Sequence, residues 1–159
     1  MKIELKSIKH AAFASQETEC YSASLWVDGK KIGTVSNEGH GGCDSFHGDW
    51  EAYRKADEWC KANLPKWSLN ADTDETHDTD LEMRCGELLS DWLTARDLKR
   101  AMGKKILFRK PDGNVYEIAH KGQKDAAIAM IQRDHPKAEI LNTMPLEDAL
   151  AIYRTIGAA

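Results

Sequence analysis

No apolar run in the 159 residues approaches the roughly 20 needed to cross a bilayer; the longest windows, such as "AAIAMI" at 126–131, suit a buried helix. The opening "MKIELKSIKH" alternates apolar and charged side chains and so lacks the continuous apolar core of a signal peptide, and a cytoplasmic protein is expected. There is no CxxC pair: Cys20, Cys43, Cys60 and Cys85 are widely spaced, and in a reducing compartment they are expected as free thiols. GxGxxG and GK[ST] are both missing, which removes the two common phosphate-loop fingerprints. No helix-turn-helix or RRM signature is present, and the net charge of −4 is opposite in sign to that of a typical nucleic-acid binder.

What remains is the composition of a folded domain, 42% hydrophobic and 30% charged with five tryptophans, which exceeds what a disordered chain carries. The charge is unevenly spread. Residues 67–83 hold six acids and no lysine or arginine, whereas 96–110 hold seven basic residues, Arg96, Lys99, Arg100, Lys104, Lys105, Arg109 and Lys110, against Asp97 alone. A partner with phosphates or acidic side chains would read the second segment; basic residues at a helix end also simply complement its dipole.

The hydrophobic periods predict a strand over "KIELKSI", then a hairpin in which Asp28-Gly29 supplies the positive-φ turn between 21–27 and "KKIGTVS". A two-residue loop sets Leu25 against Ile32 and Ala23 against Thr34, with Trp26 on the other face. Helical spacing of Trp50, Tyr53, Ala56, Cys60 and Leu64, with Asp49 as N-cap and Pro65 as stop, predicts a helix over about 50–63. Thr79 and Glu82 have capping-box spacing at the start of the longest helix, which ends at Gly103. Pro111-Asp112-Gly113 turns a second hairpin that pairs Ile106 and Phe108 with Tyr116 and Ile118; a helix, a short strand "AEILN" and a last helix follow. The fold class is α+β: antiparallel hairpins of about six strands with about four helices. It is organised as a lobe at 1–67, an acidic linker at 68–79 and a lobe at 80–159, or as one domain.

Asp72, Asp74, Asp78 and Asp80 resemble a calcium loop only in part, since His77 stands where glycine is needed and Met83 where glutamate is needed. The segment that concentrates chemistry is "NEGHGGCDSFHGDW", 37–50. As a zinc site it offers His40, Cys43 and His47, with Cys60, Cys20 or His77 as fourth donor, although His-x2-Cys-x3-His matches no common spacing. As a thiol site it offers Cys43 ahead of a helix N-terminus, with His40, His47 or His120 as base. As an anion cradle it offers Gly39, Gly41 and Gly42, but Glu38, Asp44 and Asp49 would repel phosphate. As a junction it needs only glycines to turn a hairpin into a helix, and an exposed recognition loop is the functional form of that reading.

At "DGKKIGTVSNEGHGGCDSFH" the chain resembles small uncharacterised bacterial and phage or plasmid proteins with a DG hairpin followed by a glycine-rich His/Cys loop. The resemblance implies a mobile-element accessory protein, for which modulation or inhibition of a host macromolecule is a common role. The leading expectation is therefore a non-enzymatic binding protein without a cofactor, acting on a protein or protein–nucleic-acid complex. It would use Asn37, Glu38, His40, Cys43 and His47 together with the seven basic residues of 96–110. A zinc protein or thiol enzyme using the loop, and a direct nucleic-acid binder using the basic segment, are the rivals.

Overall fold

The computed structural model describes residues 1–68 and 75–155, which divide into an N-terminal unit, Met1–Ser90, and a C-terminal unit, Asp91–Ala159. Asp72 and Asp74 of the acidic segment lie outside the described residues. Among the described residues, four helices and seven antiparallel strands in two sheets make an α+β fold, as expected. Among the described residues no helix is long and apolar enough to cross a membrane.

In the N-terminal unit, β1 (Ile3–His10), β2 (Tyr21–Val27), β3 (Lys30–Asn37) and β4 (Ser45–Gly48) form a sheet in chain order. Asp28 and Gly29 both take positive φ, 47° and 81°, and Val27 pairs with Lys30, so the two-residue turn is the one the sequence predicts. The register beyond it is not. Leu25 pairs with Gly33 and Ala23 with Val35, because Ile32 is an extra residue bulged out of the ladder. Ile32 and Val35 are both buried; three positions apart, they would fall on opposite faces of a regular strand, and the bulge brings both inside. Thr34 accordingly moves to the other face, opposite Ser24. Trp26 does lie on that face, with the Lys6 ammonium 4.2 Å from its ring.

The strand β4 falls inside the segment expected to be a loop. Its Phe46 is buried and pairs with Val35, while the ring lies so close over Gly33 that a side chain there would collide with it. Beyond it, Asp49 caps α1 (Trp50–Asn63) as predicted, its carboxylate accepting from the Ala52 N–H at 3.0 Å. Phe46, Trp50 and Tyr53 pack ring against ring, and α1 buries Ala56 and Cys60. The predicted Thr79–Glu82 capping box does not form at α2 (Leu81–Met102). Asp80 is the cap, accepting from Met83 N–H at 2.8 Å, while buried Thr79 donates to the Pro65 carbonyl and Glu82 accepts from Asp44 N–H at 2.7 Å. Asp57 of α1 accepts from Leu81 N–H at 3.0 Å, so the first turn of α2 is bonded within this unit.

The C-terminal unit holds a three-stranded sheet ordered β6 (Val115–Ala119), β5 (Lys105–Arg109), β7 (Glu139–Ile140), with α3 (Lys124–Asp134) and α4 (Leu146–Arg154). The predicted pairs Ile106–Ile118 and Phe108–Tyr116 are present, and Gly113 has φ 84°. Alternation along β5 feeds two cores: Leu107 packs with Leu98, Leu141 and Ala149, whereas Ile106 and Phe108 pack with Ile131 and Ile140. Because β7 is only two residues long, Asn142 completes the edge of β5. It accepts from Leu107 N–H at 2.8 Å and donates to the carbonyls of Lys105 and Met102 at 2.9 and 3.1 Å.

Candidate functional site

Asn37 closes β3 and organises the segment that follows. Its carbonyl accepts from Thr18 Oγ1 at 2.6 Å and from the buried Gly39 N–H at 2.9 Å, and its amide donates to Gly42 O and to Asp44, both at 3.1 Å. A side chain only 9% exposed thereby uses both ends of its amide, which is the condition for burying it at all. The Asp44 carboxylate also accepts from the Tyr21 hydroxyl. Burial, and then that carboxylate, hold the Tyr21 phenol above its ordinary range.

The glycines make the close approach possible. Gly39 has φ 87°, and its carbonyl accepts from both Gln16 and Glu17 N–H at 2.9 and 3.0 Å, tying 37–44 to the 11–19 connection. That connection is fixed in turn: Cys20 N–H donates to Ser15 Oγ at 2.9 Å, and the His10 Nε2 lies 2.5 Å from Glu19. On the resulting pair of loops Glu38, His40 and Cys43 are exposed, as is His47 on β4. Phe13, in a 3-10 turn of the other loop, is 94% exposed. The sequence signal for it was an aromatic standing in "AAFASQ" with no periodic partner. A groove of about 490 Å³ opens beside the loops, lined by residues including Lys9, Cys20, Ser22, Ser36, Glu38 and His40.

The arrangement separates the proposed zinc donors. His40, Cys43 and His47 are at the surface, Cys60 is fully buried, and His77 packs against Trp67 with the rings tilted and their centres 4.9 Å apart, in a bridge that pairs the two residues. No cluster of three or more His, Cys, Asp or Glu side chains is placed to hold a metal ion among the described residues. Nor does Cys43 lie at the N-terminus of α1, since the four residues of β4, about 13 Å of extended chain, intervene. His120 has both ring nitrogens engaged locally, with Gly103 O at 3.1 Å and Gly122 N–H at 3.2 Å. The glycine cradle is occupied from within: the N–H groups of Gly39, Gly41 and Asp44 bond to Asn37, Thr18 and Glu82.

The basic segment is partly neutralised. Arg96 bonds Asp97 at 3.0 Å, Arg100 lies 3.9 Å from Asp97, Arg109 reaches Glu139 at 2.5 Å, and Lys105 pairs with Glu117. Lys99 and Lys104 are exposed without an ion pair among the described residues, and Lys110 lies 4.2 Å over the Tyr116 ring.

The four thiols differ in exposure, with Cys20 half-buried between the extremes. Burial raises Cys60 to about 11 and Cys85 to about 12 from the ordinary 9.0, with Asp57 and Asp44 respectively adding to it, while Cys43 is exposed. A disulfide-exchange reagent at neutral pH should therefore label Cys43 fast and leave Cys60 and Cys85 unlabelled until the chain unfolds. Raised thiols favour the folded state fully below the unfolded value, so stability should fall as the pH rises through about 9 to 12, read by denaturant midpoints across that range.

Comparison with protein-family models, with curated proteins and with solved structures gives no match for this chain.

Proposed function

We propose that this protein is a non-enzymatic binding protein that engages a protein surface through the paired loops 11–19 and 37–44. The observation that carries the reading is the Asn37 brace, four hydrogen bonds that hold an irregular, glycine-rich segment rigid while Glu38, His40 and Cys43 stay exposed on it. A loop already fixed in one conformation loses little entropy on binding, which favours recognition over a mere turn. Phe13 supplies the apolar anchor that such contacts are built around. A host protein or protein–nucleic-acid complex, modulated by a mobile-element accessory protein, is the partner class implied by the resemblance at 28–47.

The expected result is that a tagged copy retains a specific partner from host lysate, and that Phe13→Ala and His40→Ala each release it without changing the far-ultraviolet circular dichroism. Retention unaltered in both variants overturns the assignment to this face. The zinc and thiol rivals are tested on the same protein: stoichiometric zinc by elemental analysis, or a reaction that Cys43→Ser abolishes, would replace the binding reading with one of them.

A further inference from the structure

The strand β6 is bonded on one side only, to β5, among the described residues. Lys110 N–H donates to Asn114 O at 3.0 Å and His120 N–H to Lys104 O at 3.3 Å, so the even-numbered positions 116 and 118 turn their backbone groups toward β5. By the alternation of an antiparallel ladder, Val115, Glu117 and Ala119 turn their N–H and C=O groups outward, unbonded. A bare edge of this kind is a template for another strand.

The side chains beside that edge are unusually apolar for a surface. Tyr116 and Ile118 share the face of Phe108 and Ile106, which α3 covers through Ile131. They are themselves 38% and 36% exposed, and Met130 of α3 is 37% exposed. Between strand and helix runs a groove of about 380 Å³, lined by residues including Ile118, His120, Ala126, Ala127 and Met130. Edge strand, groove and helix together form the arrangement that receives an extended peptide, whose backbone adds to the sheet while alternate side chains enter the groove.

Charge selects the occupant. Lys104, Lys121 and Lys124 are exposed around the His120 end, and none is in an ion pair among the described residues; Lys110 stands over Tyr116 at the other end. Opposing them are Asp125 in the first turn of α3 and Asp112, which accepts from the Tyr116 hydroxyl at 3.0 Å, while Glu117 is held by Lys105. A second copy is a poor fit, because antiparallel pairing of β6 with itself about its centre sets Glu117 against Glu117.

We propose that the β6 edge and the groove beside α3 bind an extended segment of a partner protein, with apolar side chains at alternate positions and acidic residues against Lys104, Lys121 and Lys124. The site uses none of the residues of the paired loops, so its fate is independent of theirs.

The test is fluorescence anisotropy of the full chain with a labelled peptide of about ten residues that alternates valine and threonine between pairs of terminal glutamates. Saturable binding is expected, weakened about tenfold or more both by Ile118→Glu and by the double variant Lys104→Glu/Lys121→Glu. Amide shifts should concentrate at 115–119 and along α3. A peptide with proline at every valine, which lacks the donors for strand pairing, should not bind, and one ended by lysines should bind at least about tenfold more weakly. The proposal is overturned by absence of binding, by equal binding of the proline or lysine-ended peptide, or by shifts elsewhere. It is equally overturned by self-association that Ile118→Glu abolishes, or by an oligothymidylate that displaces the peptide from this face. The lysine variants alter only exposed side chains, so they report on the site even where a groove variant fails to fold.

Discussion

Gly39→Ala is expected to destabilise the N-terminal unit by about 3 kcal/mol or more, lowering its thermal midpoint by more than about 10 °C. Two costs combine. The residue sits at φ 87°, where an L side chain is strained, and the added Cβ would press on the Ala14 carbonyl oxygen, which is backbone, and lie 2.9 Å from Cys20 Cβ. Relief requires the 11–19 connection to move, which breaks the bonds from Gln16 and Glu17 N–H to the Gly39 carbonyl. Gly42 is the control: its φ is also 87°, but a Cβ there meets nothing within 4 Å. Gly42→Ala should therefore cost only the conformational strain, about 1 kcal/mol. The difference between the two midpoints measures the loop–loop contact itself. Equal midpoints would mean that the two loops are not braced against one another.

The second large effect is expected at Asn142. Asn142→Ala leaves the Leu107 N–H and the Met102 and Lys105 carbonyls without the partner that completes the edge of β5, a loss of about 2–4 kcal/mol. Asn142→Asp separates the two halves of the role. The carboxylate still accepts from Leu107, but its second oxygen faces two carbonyls where an amide donated. That raises the carboxyl pKa in the folded state, so stability is retained below the unfolded value near 4 and is lost as the pH rises. Denaturant titrations of both variants at about pH 4 and pH 7 check this: the alanine variant should show no such dependence relative to wild type, and the aspartate variant should.

Much of the architecture was legible because single residues announced it. Asp28-Gly29 and Pro111-Asp112-Gly113 fixed two turns, and Asp49 marked a helix start whose carboxylate does bond the third residue in. The bulge at Ile32 was also written in the spacing of Ile32 and Val35, which a regular strand sends to opposite faces, but a turn rule alone runs the register straight through it. β4 escaped notice because a four-residue strand ending in a glycine has too few positions to show a period. At α2 a threonine with capping-box spacing competed with the aspartate beside it. The choice was made by Thr79 being drawn inward to the Pro65 carbonyl, a tertiary bond no local pattern contains.

Of the candidate site, the exposed side chains were legible and the bonds that position them were not. The density of glycine, histidine and cysteine at 37–48 marks a segment in which Glu38, His40, Cys43 and His47 are exposed, while Gly39 and Phe46 are buried and 45–48 form β4. Asn37, grouped with the residues that face a partner, proves to be the buried brace, a role that depends on Thr18 and Gly39 reaching it from either side. Likewise the seven basic residues of 96–110 read as one patch in sequence, while Glu117 and Glu139, both distant along the chain, pair with Lys105 and Arg109.

The order of strands in the two sheets bears on how the chain is made. β1, β2, β3 and β4 are neighbours in space in the order in which they leave the ribosome, so each strand emerges next to a partner already present and closes only a short loop. The second sheet is built differently, because β7 pairs with β5 after β6 and α3 have been synthesised. Until then β5 has one bare edge, and Asn142, the residue that completes it, is made after β7. Vectorial synthesis thus suits the first sheet and leaves the second exposed for longer, placing the hazard of misassembly in the interval between the emergence of β5 and that of β7.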